Sequence, residues 1–358
     1  MKRIKNIEFL RILGCISVIL YHFLHCSLRV FPDISIYQFL GNMTTNGNKA
    51  VELFFILSGV FFAITYNEKL NIYEFVKKKI IRLYPTLLFG YIIAFILSVF
   101  GFIKFKFYNN VLGLFFLSGT PLSLDFDNLT ISWYIGVLFW VLILFFYLKK
   151  NFSNKYLNLT IAIGIFISYS ILIHIDNGQI SVVFPFNNIF NAGILRGIGG
   201  IGVGYFIGEW YKNNVNTIHN NIYNIRTKLM ITLVEALCLG FTIKNLIFYN
   251  LKFNNQIIFV LIFSLTIVLF LLNKGYISQI LNKDIFMKLA KYTYSLFIMH
   301  YLIIKGIKGS LWKHNEIFVY THPYWNIILT LSIVLIIGIL TYHLIEKPAT
   351  KYLKEKWQ

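Results

Sequence analysis

Charge is what this chain has least of. Asp, Glu, Lys and Arg make up 13% of its 358 residues, against about 25% in an ordinary soluble protein. A soluble domain of this length needs far more polar surface, and no stretch reads as one. Cysteine is equally sparse. Cys15, Cys26 and Cys238 lie in or near apolar segments. They show no metal-ligand spacing and imply no disulfide framework, so they read as small apolar packing residues. No convincing internal repeat is present. The apolar stretch after Arg11 lacks a small-residue cleavage site, contains His22 and His25, and outruns an ordinary signal-peptide core. It is expected to remain as a first helix.

What the chain does have is apolar length. It is 57% hydrophobic and 18% aromatic, with a mean hydropathy of +0.67. Leu87 to Phe100, Trp133 to Leu148, Ile257 to Leu272 and Ile327 to Leu340 hold no charge at all. Each extends to the roughly 20 residues that cross a hydrocarbon core. The expected architecture is an all-α integral membrane bundle of about ten transmembrane helices. Spans are expected near 8–28, 50–66, 84–102, 131–148, 157–175, 189–210, 229–248, 256–272, 287–304 and 324–343. Residues 1–348 would form the membrane domain and 349–358 a short basic tail.

The net charge of +19 would suggest nucleic acid in a soluble protein. Here the basic residues sit between apolar runs, so no nucleic-acid partner is expected and the bilayer is. With ten spans, 23 of the 33 Lys and Arg residues fall on the side of the N-terminus, nine on the other, and Arg196 within a span. Because basic residues concentrate on the cytoplasmic side, both ends are expected in the cytoplasm. Counting Val111 to Leu124 as a span would invert everything after it. It is short and contains Pro121, so a re-entrant or interfacial segment is expected. The Asn-rich stretch Asn213 to Asn224 is expected to be a short loop.

The first helix is the most informative. Arg11 and His22 are 11 positions apart, about three turns plus 20°. They share a face, about 16 Å apart along the axis, and an ionisable group at the depth of His22 is a functional candidate. His25 falls near the same face and competes with it. A His-x-x-His metal site lacks further ligands, and no metal is expected. Glu8, three residues before Arg11, can pair with it. Lys77, Lys78, Lys79 and Arg82 form a basic cluster suited to phosphate, or to orientation and lipid headgroups. Arg196 needs a partner, a polar cavity or a route to the interface. Gly193 and Gly197, and the series Gly200, Gly204 and Gly208, have the spacing of close helix packing. Glu52 and Glu346 read as boundary carboxylates paired with nearby cations. Trp133 and Tyr134 read as contacts to sugar or lipid, or as interfacial anchors.

Six segments, in order, carry a family resemblance. Glu8-Phe9-Leu10-Arg11, ten residues and His22 resembles the acidic-x-Leu-Arg-x10-His signature of the acyltransferase-3 family. Ala50 to Gly59, including Glu52 and Ser58, resembles its Gly-Val-acidic-Leu-Phe-Phe-x-Leu-Ser-Gly segment. Lys79 to Pro85 resembles Arg-x-x-Arg-hydrophobic-Tyr-Pro, and Ser132-Trp133-Tyr134 the start of its fourth helix. Tyr294 to His300 resembles Tyr-Ser-Leu-x-x-x-His, and Ile345-Glu346-Lys347-Pro348 the terminal Ile-Glu-basic-Pro. The matches cover nearly the whole chain. Three positions depart from the pattern: Lys79 stands for Arg and cannot make a bidentate fork, Ala50 stands for Gly, and no Glu follows Trp133 closely.

The resemblance implies a multi-pass acyltransferase of the inner (cytoplasmic) membrane. It would take acyl-CoA, commonly acetyl-CoA, as a co-substrate rather than a permanently bound cofactor. The acceptor would be a hydroxyl of a cell-surface polysaccharide or its lipid-linked precursor. On that reading His22 is a general base or an acyl carrier, and Arg11 positions the donor. Lys78, Lys79 and Arg82 join Arg11 on the phosphates. Glu52, Ser58, Trp133, Arg196, His300 and Glu346 line the site. Ten helices with buried charge would also suit a transporter or exporter of polysaccharide or a small polar molecule. However, the chain shows no clear inverted repeat and no paired broken helices.

Overall fold

The computed structural model describes residues 4–44, 46–123, 125–175, 177–180, 183, 185–186, 190–220, 224–248 and 256–357. Sixteen α-helices are described, in this order: α1 (Lys5–Val30), α2 (Ser35–Met43), α3 (Ala50–Thr65), α4 (Ile72–Val99), α5 (Phe107–Leu114), α6 (Ser132–Asn151), α7 (Asn154–Ile175) and α8 (Ala192–Asn220). They are followed by α9 (Ile225–Ile243), α10 (Ile257–Leu272), α11 (Tyr276–Ile280), α12 (Asp284–Ala290), α13 (Thr293–Ile307), α14 (Glu316–Thr321), α15 (Pro323–Thr341) and α16 (Lys347–Lys356). Among the described residues, strand pairing is confined to Pro185–Phe186 against Phe190–Asn191. The protein is all-α and multi-pass.

Seven stretches among the described residues are long and apolar enough to cross a membrane. They are Lys5–Val30, Ser35–Thr65, Ile72–Val99, Ser132–Asn151, Asn154–Ile175, Ile225–Leu246 and Pro323–Lys356. The three other expected spans are helical but fall short of that standard for identifiable reasons. α8 dilutes its apolar residues with seven glycines, Arg196 and Glu209. α10 is strongly apolar but has 16 residues, and α13 has 15 before a π-helical turn. Residue 189, the first of the span expected at α8, lies outside the described residues.

α3 and α8 pack most intimately, and glycine is the reason. A methyl group at Gly204 would lie 1.9 Å from the carbonyl oxygen of Ile56. One at Gly59 would lie 2.1 Å from that of Ile201. Backbone therefore meets backbone, as the small-residue spacing predicts. Gly200 and Gly208 continue the stripe against Phe55, Val60 and Ala63.

The Asn-rich stretch is helical through Asn220 rather than a loop, and 221–223 lie outside the described residues. Tyr211 and Ile218 are buried, with Val215 packed beside them. That i, i+4, i+7 face holds the helix despite its poor formers.

α4 contains Pro85, which removes the donor that would pair with the carbonyl of Ile81. The hydroxyl of Thr350 in α16 lies 3.5 Å from that carbonyl, and Tyr294 of α13 donates to Leu83 O at 2.6 Å. The Tyr-Pro segment is thus where three helices are tied. α15 passes into α16 through a π-helical turn, Tyr342–Glu346. The expected tail is therefore largely helix, and the carbonyl of Trp357 accepts from the Lys77 ammonium.

The segment excluded as a span is a short helix, α5, followed by irregular chain that folds back between α4 and α6. Phe116 stacks on Phe139 at 4.3 Å and meets Tyr84 at 6.1 Å.

Gly204→Ala should lower the thermal unfolding midpoint in detergent, at a cost of at least about 2 kcal/mol from overpacking. Gly240→Ala, where a methyl group meets nothing within 4 Å, should be neutral or stabilising, because Gly costs about 0.5–1 kcal/mol against Ala in a helix. Equal midpoints for the two variants would refute the backbone contact.

Candidate functional site

α1 holds Arg11 and His22 on one face, and Glu8 Oε2 accepts from Arg11 Nη1 at 2.8 Å. Glu8 is buried and Arg11 is 22% exposed, so the carboxylate fixes the guanidinium while leaving part of it accessible. α13 runs beside α1 and sets His300 against His22, with ring centroids 5.3 Å apart. Tyr301 lies 4.6 Å from the His22 ring. His25, which competed with His22 in sequence, turns away: it is exposed and stacks on Tyr21 at 5.7 Å.

His300 is fully buried. Its Nδ1 lies 2.9 Å from Phe297 O and 3.1 Å from Leu296 O. Carbonyls only accept, so Nδ1 carries the hydrogen, and in the neutral ring Nε2 is left as an acceptor. Nε2 has no partner among the described residues. A buried imidazole with one nitrogen locked and the other open is chemically poised to receive a proton or a hydrogen bond.

An aromatic wall joins this pair to other helices. Phe297 lies 6.0 Å from His300, 5.4 Å from Tyr134 and 5.6 Å from Phe54. Ser58 donates to Phe54 O at 2.7 Å and stands 3.5 Å from the Tyr134 hydroxyl. At the Arg11 end, Arg11 and Arg82 both act electrostatically on Glu346 and on Tyr134. Glu346 was expected to pair with a cation; instead it accepts from the hydroxyl of Ser295. The π-helical turn also brings His343 within 3.2 Å of Tyr292.

The basic cluster divides its work. Lys78 and Arg82 are exposed one helical turn apart. Lys77 is tied to Trp357, and the Lys79 ammonium lies 5.0 Å over the Phe75 ring. Those two are partly consumed by packing.

Three sequence expectations need correction. Glu52 is fully buried within the protein rather than exposed, and Arg196, 2% exposed, does not snorkel. They pair with each other at 2.6 Å across 144 residues of sequence. Trp133 is 7% exposed, with the Arg196 guanidinium 5.0 Å over its ring. It is therefore neither an interfacial anchor nor an open sugar platform. All three lie beside the histidine pair's wall through Phe55, which is 4.7 Å from Tyr134 and 6.2 Å from Trp133.

Sequence reasoning missed Asp127. It is 1% exposed and accepts from Tyr91 Oη at 2.6 Å, Ser118 Oγ at 2.8 Å, the Ser132 hydroxyl and the Thr130 N–H at 2.8 Å. Asn110 and Asn128 exchange two further hydrogen bonds beside it. Irregular chain folded deep in such a bundle must satisfy its polar groups internally, and these residues do so. They hold Phe116 and Thr130 at φ of 60° and 63°, which is uncommon for non-glycine residues. The available signal was scarcity: only 14 acidic residues occur in the chain. Asp125 nearby is different. Partial burial pushes its carboxyl up, but Lys106 and the Phe126 N–H bring it below its ordinary value. Asp127 also reaches α13, because Lys305 Nζ donates to Thr130 Oγ1 at 2.7 Å.

A family model for the acyltransferase domain matches residues 4–343. The chain belongs to the acyltransferase-3 family. It is an acyltransferase of the multi-pass membrane type. Neither a search of curated proteins nor one of solved structures yields a match. All six motif segments converge on the geometry above, either at the histidine pair and its wall or at the Tyr-Pro and Glu346 ties.

Removing either Glu52 or Arg196 alone should cost roughly 3–5 kcal/mol, because a buried charge is stranded. Glu52→Leu combined with Arg196→Met should cost less than the sum of the single losses; a double-mutant cycle of unfolding midpoints measures the coupling, and strict additivity would refute it. Asp127→Ala leaves four donors unpaired and should cost about 3 kcal/mol or more. Asp125→Ala, at an exposed ion pair with Lys106, should stay within about 1 kcal/mol.

Proposed function

We propose that this acyltransferase moves an acyl group, most simply acetyl, from a cytoplasmic acyl-CoA to a hydroxyl of a cell-surface carbohydrate or its lipid-linked precursor. The observation that carries the reading is the His22–His300 pair, with the Arg11, Lys78 and Arg82 cations toward one end of it. We place the protein in the inner (cytoplasmic) membrane with ten spans, α8, α10 and α13 completing the seven apolar ones, and both ends in the cytoplasm. The basic-residue count supports that orientation. It sets Arg11 and Arg82 on the side where acyl-CoA is made.

On this reading Arg11, Lys78 and Arg82 take the donor's phosphates, with Lys79 a weaker contributor because its ammonium lies over Phe75. The pantetheine arm runs along the Arg11–His22 face of α1, about 16 Å by helix rise, which brings the thioester to the imidazole. His22 accepts the proton of the acceptor hydroxyl as its oxygen attacks the thioester carbonyl. The tetrahedral species collapses, the C–S bond breaks, and the CoA thiolate takes the proton back from His22. His300 Nε2 supplies a fixed acceptor beside His22, the third-group arrangement that orients a base. Ser58, Tyr134 and Phe297 wall the passage. Glu52, Arg196 and Trp133 support that wall from behind, and Glu346 with Ser295 supports the donor end.

Membranes containing the protein should transfer label from acetyl-CoA to glycan. His22→Ala should reduce this by at least about 100-fold, the scale of general-base loss, with insertion unchanged. His25→Ala should lower kcat far less than His22→Ala does, and Arg82→Gln should raise the KM for acetyl-CoA. Full activity in His22→Ala would sink the mechanism. Glycan flux into proteoliposomes without any acyl donor would favour a transporter instead.

A further inference from the structure

The end of the histidine site remote from Arg11 is cationic too, and nothing in donor binding uses it. Arg29 is 18 residues after Arg11 and seven after His22, five full turns and about two turns respectively. All three therefore lie along one stripe of α1, a guanidinium at each end and the imidazole between. Arg29 is exposed and acts electrostatically on Tyr21, His25 and Tyr301. Lys305 acts on His22 itself, and Lys308, exposed on the following turn, acts on Cys26. The other charged groups bearing on the His22 ring are His300 and His25.

The two carboxylates that bear on Lys305 are already committed, while Asp33 and Glu316 at this end are exposed. Asp127 and Asp125 both act on Lys305, but Asp127 serves four donors of its own segment and Asp125 pairs with Lys106. Lys305 is held in place rather than waving in solvent. Its Nζ donates to Thr130 Oγ1 at 2.7 Å and to Asn128 O at 3.3 Å. It lies 4.4 Å over the Tyr301 ring, which in turn meets His22. An ammonium has three N–H groups, so one remains for a ligand. The stacked rings of Tyr21 and His25, inclined by 12°, form a flat face at the same end. Under the orientation proposed above this is the non-cytoplasmic side, where basic residues are depleted, so anchoring the helix ends does not account for three of them here.

We infer that this end of the site receives an acceptor glycan carrying an anionic group, a carboxylate or a phosphate, close to the hydroxyl that is acylated, and that Lys305, Arg29 and Lys308 hold that group. The inference rests on the acyl-transfer reading for its purpose but not for its test, which is binding without any donor.

The purified protein in uncharged phosphatidylcholine nanodiscs is titrated with labelled oligogalacturonate, its methyl ester, poly(glycerol phosphate) and dextran. At least one anionic probe should bind tenfold or more tighter than dextran. If the carboxylate is the group recognised, the ester should lose that advantage, and whichever anionic probe wins names the group. Binding should weaken as salt rises. Lys305→Gln and, separately, the surface variant Lys308→Gln should each weaken the anionic probe several-fold and leave dextran unchanged. Equal affinity for charged and neutral probes, or binding untouched in both variants, would overturn the inference. Anionic binding by a protein that transfers no acetyl group would instead overturn the acyl-transfer reading and leave this one standing.

Discussion

One carboxylate and one guanidinium, shut away from water and lipid alike, set the frame of this bundle. Glu52 and Arg196 each face a desolvation cost of several kcal/mol alone, so α3 and α8 must present them to one another. The glycine stripe lets the two backbones come close enough for that. Once α3 is placed against α8, Phe55 carries the constraint to Trp133 and Tyr134 at the start of α6. Phe54 carries it to Phe297 on α13, one turn from His300. The wall beside the two histidines is thereby registered on the ion pair.

The folded-back segment between α4 and α6 meets the same constraint by other means. Its backbone cannot close a helix or a barrel, so side chains take over the accounting. Asp127, Asn110 and Asn128 supply what a helix would have supplied from its own backbone, and in doing so they deliver Thr130 to Lys305. The histidine pair thereby lies between two positioned cations, Arg11 held by Glu8 and Lys305 held by this segment.

Much of α1 was legible because helical periodicity is a one-dimensional code. The spacings of Glu8, Arg11 and His22 specify a face, and that face is observed. The glycine spacing in α8 was legible for the same reason. Pairings between distant helices were not: Glu52 and Arg196 appeared as two separate problems, although each was the other's solution. Trp133 was misplaced because an aromatic residue at a helix start usually marks the interface, and only the buried guanidinium above it explains why this one does not. The Asn-rich end of α8 misled through composition, since three apolar positions at helical spacing outweighed the asparagines. Asp127 was overlooked because it lies just past Val111 to Leu124, a segment judged only for whether it could span.

The π-helical turn at Tyr342–Glu346 has a further consequence. Such a turn holds one residue more than an α-helical turn would, so the chain here carries a residue that the winding absorbs. Deleting one residue from it would restore α-helical winding and leave α16 nearly unrotated, with Thr350 still facing the carbonyl that Pro85 leaves open. A deletion in the flanking helices would instead turn everything beyond by about 100°. Between α15 and α16 this turn is therefore the one stretch where descendants of this sequence can lose a residue without turning the last helix over.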